Sequence, residues 1–212
     1  MKKNIKRLLC IVPCALCIIL TLICVFGCKE EKTETPSAPT DTTQANKDEG
    51  LSDIIVVYFS CTNNTKFVAE CIAKELHCGI FEIVPTEKYT DEDLNWQNKD
   101  SRVNKEHDNP NILPSIGKLM PQLSVYKTLI IGYPIWYGEA PPVMRTFVRD
   151  CGEFPKGLRV IPFCTSHASP MGNSAKHLFK DVPNINLEEG KRFELKPSEE
   201  EVTEWVKSLN LK

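Results

Sequence analysis

The chain lacks the sequence features of several common protein classes. Of its ten cysteines, five lie before residue 29, and the other five are an odd number without CxxC spacing. We therefore predict no disulfide framework and no metal site. Neither a GxxxxGK[ST] phosphate loop nor a GxGxxG dinucleotide fingerprint is present. Without the four positive charges that precede residue 8, the formal net charge falls from −2 to −6 for residues 28–212. A mildly acidic domain of this kind is not expected to bind nucleic acid.

The cysteines beyond residue 50 differ in their surroundings. Cys71, Cys151 and Cys164 lie in apolar patterns and are predicted to be core residues. Cys61 lies just before a predicted helix, where the pKa of a thiol can be lowered. The simpler interpretation is that Cys61 is an ordinary loop residue.

The N-terminal segment is predicted to be an export signal. Four basic residues precede 8–27, a stretch of twenty residues without charge, which is the plan of a secretory signal. The stretch ends at Gly27-Cys28 and resembles a bacterial lipobox, which implies removal of residues 1–27 and lipidation of Cys28. The alternative is an uncleaved helix, because twenty apolar residues can just span a bilayer. The basic residues place the following domain outside the cytoplasm in both cases.

Residues 28–50 are predicted to be a disordered tether. They are charged, polar or proline residues with almost no apolar side chains. Such a segment cannot bury enough apolar surface to offset the entropy that ordering costs. The remaining residues, 51–212, have the length of one folded domain.

The segment from Ile54 to Leu76 predicts the first half of a βαβ unit. Residues 54–59 are β-branched or aromatic, which is typical of a strand buried on both faces of a parallel sheet. Small polar residues follow at 60–65, and apolar residues then recur at helical spacing. The polar loop therefore lies at the carboxyl end of a strand, where open α/β sheets bind their ligands.

The polar loop 60–65 is suited to an anion. Its hydroxyl and amide groups lie beside the free N–H groups of a helix start, where the helix dipole favours negative charge. It contains no Lys or Arg, so it would hold a phosphate by hydrogen bonds alone. The simpler interpretation is that these residues only form a turn and an N-cap.

The motif YFSCTNNT at 58–65 resembles the YFSxTGNT phosphate loop of flavodoxins. Asn63 stands where that family has Gly, and Asn tolerates the left-handed backbone that this turn needs. The resemblance implies that the phosphate of FMN is held by Ser60, Thr62, Asn63, Asn64 and Thr65.

A second loop carries two adjacent aromatic residues after the predicted strand 128–133. A planar ligand that stacks on them would explain their place, although Trp136 or Tyr137 can instead plug the end of the core. The spacing resembles the flavodoxin YPxWWG loop that covers the flavin ring, with Tyr137 for the second Trp. The resemblance implies ring contacts from Pro134, Ile135, Trp136, Tyr137 and Gly138.

A third loop follows the predicted strand 158–164 and resembles the family's TSGGSGxGxS motif. The matching residues are Thr165, Ser166, Ser169, Gly172 and Ser174. His167, Ala168 and Pro170 replace glycines, which makes the loop stiffer. The resemblance implies that residues 165–169 contact the polar edge of the flavin ring. For His167 we consider a proton-transfer role, with an ordinary surface histidine as the alternative.

The remaining segments complete an alternating pattern. Strands are predicted at 80–85 and 191–195, and a closing helix after a capping box at Ser198 carries Trp205 on its core face. Residues 86–125 contain no clear strand and a possible helix at 91–106. Within that helix, Arg102 and Glu106 are predicted to form an i,i+4 surface pair.

Taken together, these segments predict an α/β fold with a flavodoxin-like, doubly wound five-stranded parallel sheet in the order 2-1-3-4-5. The resemblance extends over residues 54–210, and its three loop motifs occur in the family's order. It implies FMN as the cofactor.

Together with the predicted export signal, the resemblance implies a redox protein, anchored at the outer face of the membrane, that carries electrons between protein partners. Two alternatives remain open. One is an FMN-dependent oxidoreductase that passes hydride from NAD(P)H to a quinone, nitro or azo compound, with an extra pocket built by residues 86–125. The other is a binding lipoprotein without flavin, because a chain exported unfolded, without a twin-arginine signal, must meet its cofactor outside.

Overall fold

The computed structural model describes residues 52–211, which form an open parallel sheet between two layers of helices. The predicted signal segment, the lipidation site at Cys28 and the tether lie outside the described residues. The strands are β1 (Ile54–Tyr58), β2 (Gly79–Glu82), β3 (Thr128–Pro134), β4 (Arg159–Thr165), β5 (Asn186–Leu187) and β6 (Lys191–Phe193). The helices are α1 (Asn64–Leu76), α2 (Arg102–Asp108), α3 (Pro142–Asp150), α4 (Ser174–Leu178) and α5 (Glu199–Ser208), with a 3₁₀ turn at Leu123–Val125.

The sheet confirms the predicted strand order. It runs β2-β1-β3-β4-β5, and β6 also pairs with β4. All pairings between these strands are parallel. The predicted fifth strand, 191–195, is wrong in one respect, because two short strands pair with β4 in its place. The gap between β5 and β6 falls opposite Pro162, which has no N–H to donate to the hydrogen bonds between strands. A side chain at Gly190 would overlap the carbonyl and ring of Pro162, so only glycine fits at this position.

The two faces of the sheet bury separate apolar cores. Alternate residues of β1 point to opposite faces, so that Ile55 and Val57 enter one core and Val56 enters the other. The first core contains side chains of α3 and α4, and the second contains side chains of α1 and α5. The three cysteines predicted as core residues, Cys71, Cys151 and Cys164, are buried as expected.

An aromatic cluster closes the second core. Phe163 of β4, Phe193 of β6 and Trp205 of α5 pack edge to face, with ring centroids 5.4–6.4 Å apart. This confirms that Trp205 belongs to the core. Ser198 accepts a hydrogen bond from the N–H of Glu201 at 3.1 Å, which caps α5 as predicted. The carboxylate of Glu201 pairs with Lys191 at 3.3 Å rather than completing a capping box.

The segment between β2 and β3 is mostly turns, and the predicted helix at 91–106 is wrong for most of its length. Thr90 and Asp93 exchange side-chain to backbone hydrogen bonds of 2.9 and 3.1 Å. Asn95 and Asn98 then accept bonds from the N–H groups two residues further on. These side chains satisfy the backbone locally and compete with helix formation. Helix α2 therefore begins only at Arg102.

A substitution at Gly132 tests how closely the sheet packs against the second core. Gly132 lies opposite Phe163 in the β3–β4 register, and a Cβ at Gly132 would overlap the ring of Phe163. We expect Gly132→Ala to lower the free energy of unfolding by about 1–3 kcal/mol, since overpacking displaces a buried ring. Gly79→Ala in β2 is the matched control, because its nearest neighbour is the hydroxyl of Tyr126 at 3.8 Å. Urea unfolding that shows equal stability for both variants would contradict this account of the packing.

Candidate functional site

The polar loop after β1 has the backbone that the sequence predicts. Asn63 adopts φ 62° and ψ 1°, in the left-handed region, so the Asn takes the place of the family glycine. Its carbonyl accepts a bond from the N–H of Phe67 at 3.0 Å and starts α1. The amide of Asn64 donates to the hydroxyl of Thr62 at 2.9 Å. The loop thereby directs hydroxyl groups and the start of α1 toward one point at the carboxyl edge of the sheet.

One hydroxyl of this loop has no partner within the described chain. Ser60 Oγ is a buried side-chain oxygen without a hydrogen bond. A buried polar group left unpaired costs about 1–3 kcal/mol, so such a group indicates a missing partner. An acceptor-rich group such as a phosphate, placed beside the start of α1, would supply it. The residues present therefore fit a phosphate-bearing cofactor.

A buried hydrogen bond joins the first loop to the third. Thr65 Oγ1 and Thr165 Oγ1 are 2.8 Å apart, and both residues are almost fully buried. The carbonyl of Thr165 also accepts a bond from the N–H of Ile135 at 3.1 Å. The structure thus brings together the three loops that follow β1, β3 and β4.

The second loop is a tight hairpin. Trp136 and Glu139 exchange two backbone hydrogen bonds of 2.9 Å, and the residues between them, Tyr137 and Gly138, have φ values of 51° and 82°. Two left-handed residues in a two-residue hairpin are the signature of a type I′ turn, which favours Asn and Gly. A tyrosine in this position is strained by about 1–3 kcal/mol. The position of the Tyr137 ring therefore comes with a strained backbone conformation.

The two aromatic side chains of this hairpin have different surroundings. Trp136 is half-buried and packs edge to face against Phe59 and Tyr89, with centroids 5.6 and 5.2 Å away. Tyr137 is 42% exposed and stacks on His107 of α2 at 4.1 Å and 15°. Its hydroxyl donates to Asn104 at 2.7 Å. Trp136 thus partly plugs the end of the core, whereas Tyr137 keeps an exposed ring.

These loops line a cavity of about 400 Å³, which is within the range of small-molecule sites. It is lined by Ser60, Cys61, Thr62, Thr65, Leu94, Trp96, Val103, Pro134, Ile135, Trp136 and Tyr137. No charged side chain is among the residues that the structure places around it. An anion bound here would be held by hydroxyl and N–H groups, as the loop composition predicts.

Four lining residues of this first cavity, Cys61 among them, were not predicted from the sequence as site residues. Leu94, Trp96 and Val103 come from the segment between β2 and β3 and cover the cavity from that side. Leu94 and Trp96 are the apolar residues of an otherwise polar stretch, 91–100, and Trp96 is 68% exposed. Two apolar side chains in so polar a stretch were the signal in the sequence that could have identified this wall of the cavity.

Other predicted residues lie beside the cavity without lining it. Thr165 and Ser166 are buried, and His167 and Ser169 are exposed. The carbonyls of His167 and Ser169 accept bonds from Arg192 at 3.2 and 3.1 Å, which holds this loop against β6. The proton-transfer role considered for His167 therefore stays a prediction.

The predicted surface pair of Arg102 and Glu106 is a buried cluster instead. Arg102 Nε donates to Glu106 at 2.6 Å, but Glu106 is only 3% exposed. Its second oxygen accepts from the hydroxyl of Tyr89 at 2.7 Å, and Arg102 also lies 3.9 Å from the Tyr89 ring centroid. Burial and this bond to Glu106 raise the pKa of Tyr89 above its ordinary range. The helical spacing predicted the pair but not the loop that buries it.

The possible lowering of the Cys61 pKa is also wrong. Burial of Cys61 raises the pKa of its thiol to about 12, and Arg102 only partly offsets this effect. The thiol is therefore protonated at neutral pH and belongs to the apolar wall of the cavity.

The described part of the chain also offers no obvious metal site or membrane span. Within residues 52–211, no group of three or more His, Cys, Asp and Glu side chains could hold a metal ion. Over the same residues, the helices are too short or too polar to cross a membrane.

Fold and site together define an open α/β protein with a ligand cavity at the carboxyl edge of its parallel sheet. The family model for flavodoxins matches residues 53–209. The chain therefore belongs to the flavodoxin family. No curated protein matches it.

Solved structures agree with this assignment. A flavoprotein from Bacteroides uniformis ATCC 8492 is 36% identical, with a TM-score of 0.68 over 74% of this chain and 99% of that one. One from Bacteroides eggerthii DSM 20697 is also 36% identical, with a TM-score of 0.66 over 75% and 98%. A flavoprotein in complex with FMN from Lactobacillus acidophilus NCFM is 21% identical, with a TM-score of 0.54 over 72% and 97%, and shares the fold. Membership of the flavodoxin family supports FMN as the cofactor.

The unpaired hydroxyl of Ser60 gives a prediction with two opposite effects. Ser60→Ala removes a buried group without a partner, so we expect the ligand-free chain to gain about 1–2 kcal/mol in urea unfolding. The same change removes a donor to a charged group and should weaken FMN binding about tenfold. Ser124→Ala, an exposed serine near the opposite edge of the sheet, is the control for both measurements. A loss of stability in Ser60→Ala would show that Oγ has a partner already.

Proposed function

We propose that the chain is an FMN-binding redox protein that transfers electrons at the outer face of the membrane. The observation that carries this proposal is the first cavity. Its lining includes an unpaired buried hydroxyl beside the start of α1 and an exposed aromatic ring. These are the groups that a phosphate and a flat ring require.

Different residues of the cavity hold different parts of the cofactor. Ser60, Thr62 and Thr65 hold the phosphate, and Trp136 and Tyr137 lie against the ring. FMN supplies the redox chemistry when it is bound, while the protein positions it and sets its surroundings. The apolar side chains of the wall exclude water from one side of the ring. A low-dielectric wall disfavours added negative charge on a bound ligand, which lowers the potential at which it is reduced.

The cellular location in this proposal is inferred from the sequence. The apolar run before Cys28 and the basic residues ahead of it support export and a lipid anchor at that cysteine. Mass spectrometry of the mature N-terminus tests the anchor. A diacylated Cys28 is the expected result, and a chain that begins at Met1 would contradict it.

A second candidate function is an FMN-dependent oxidoreductase that uses NAD(P)H and a quinone, nitro or azo compound. The segment between β2 and β3 favours it, because this segment lines the first cavity and also lines a second one that shares Trp136 with it. A carrier that exchanges single electrons with protein partners has no need of a second small-molecule cavity.

Titration with FMN, followed by stepwise reduction, tests both functions on the purified full-length chain. Bound flavin with a shifted visible spectrum is expected. Accumulation of the one-electron-reduced form would support the carrier, whereas reduction in a single two-electron step with steady NAD(P)H oxidation would support the oxidoreductase. A folded chain that leaves the FMN spectrum unchanged would contradict the proposal and favour a flavin-free binding protein.

The exposed ring of Tyr137 provides a more local test. We expect Tyr137→Ala to weaken FMN binding by about 0.5–1.5 kcal/mol, the usual range for an aromatic pair. Tyr137→Phe retains the ring and loses only the bond to Asn104, so it serves as the matched control. Quenching of flavin fluorescence measures both affinities. Equal FMN affinity for the two variants would show that the flavin ring does not contact Tyr137.

A further inference from the structure

A second cavity adjoins the first at the aromatic hairpin. It has a volume of about 420 Å³ and shares only Val103, Trp136 and Tyr137 with the first cavity. Its walls come from α2, from the hairpin and α3, and from α4 with the residues that follow it. The loop of Ser60 that the cofactor phosphate requires does not reach it. The second cavity is therefore a separate place for a ligand.

The carboxylates around the second cavity already have partners. Glu106 is bound by Arg102 and by Tyr89, at 2.6 and 2.7 Å. Glu139 lies 2.8 Å from Nδ1 of His177. Each acidic side chain in the lining thus has a neighbour within hydrogen-bond distance.

Two cations in the lining remain open to a ligand. Arg145 uses one nitrogen to donate to the carbonyl of Pro110 at 2.9 Å, and its remaining donors have no protein contact that the structure describes. Lys180 lies 3.9 Å from the exposed Asp181, a distance typical of a weak surface pair. With histidine neutral, the two cations balance the two carboxylates of the lining, and the cations are the charged groups that still offer unused donors to a ligand.

Apolar side chains form another part of the lining. Val103, Pro110, Ala140, Pro142 and Leu178 contribute carbon surface. The ring of Trp136 forms the wall shared with the first cavity. A ligand that satisfies both parts of this lining needs an apolar ring system and an anionic group. We propose that the second cavity binds a small aromatic anion, with its rings against Trp136 and its charge at Arg145 and Lys180.

The proposal is tested by calorimetric titration of the full-length chain with naphthalene-2-sulfonate, once without FMN and once with saturating FMN. We expect binding under both conditions. The uncharged 2-naphthol should bind at least about fivefold more weakly, because it lacks the charge-assisted bonds. The cationic 2-naphthylmethylamine should not bind.

Variants locate the binding site. Lys180→Gln and Arg145→Gln should each weaken binding of naphthalene-2-sulfonate at least about fivefold. Lys176→Gln, an exposed lysine of α4 outside the cavity lining, should leave the affinity unchanged. Since Arg145 also holds Pro110, a thermal unfolding curve of Arg145→Gln shows whether the fold is retained, and Lys180→Gln tests the charge without that contact.

Three results would overturn the proposal. Displacement of naphthalene-2-sulfonate by FMN would place it in the first cavity. An equal loss of affinity in Lys176→Gln and Lys180→Gln would show that any surface charge is sufficient. No binding of naphthalene-2-sulfonate at all would show that the second cavity does not bind an aromatic anion. Failure of the chain to bind FMN, seen in the visible spectrum, would contradict the proposed function but not this site, because the titration without FMN is independent of it.

Discussion

Every contact proposed for the cofactor depends on the parallel alignment of β1, β3 and β4. Parallel strands end at the same edge of a sheet, so three loops that are far apart in sequence meet there. The buried bond between the hydroxyls of Thr65 and Thr165 then sets the distance between the first and third loops. Because it is shielded from water, loss of either partner would leave the other unpaired. The apolar strands thus determine which polar loops become one site.

The segment between β2 and β3 is held to this edge by a buried charge. Glu106 is stable in the interior only because Arg102 and Tyr89 satisfy both of its oxygens. Tyr89 in turn packs against Trp136, so the cluster supports the aromatic wall between the two cavities. The stack of His107 on Tyr137 adds a second contact between this segment and the hairpin. The segment thus shapes the first cavity without contributing a charge to its lining.

The parts of the fold that follow local patterns were predictable from the sequence. Continuous apolar strands, helical spacing and the tolerance of Asn63 for a left-handed backbone each reflect a residue and its neighbours. The errors concern longer-range packing. Pro162 and Gly190 divide the last strand through a contact between elements, and Asn and Asp side chains between residues 90 and 100 replace a helix with turns. The burial of Glu106 and the raised pKa of Cys61 depend on a loop whose path no spacing reveals.

Two residues of the site lower the stability of the free chain, and both do so where the cofactor is proposed to bind. Ser60 buries a hydroxyl without a partner, and Tyr137 takes a backbone conformation that suits Asn or Gly. Left-handed backbone at residues other than Gly and Asn also occurs elsewhere in the described fold, at His77 and Lys196. At the first cavity, a bound ligand would provide the missing hydrogen bond for Ser60 and a surface for the ring of Tyr137. The same features that weaken the free chain are therefore those that favour its bound form.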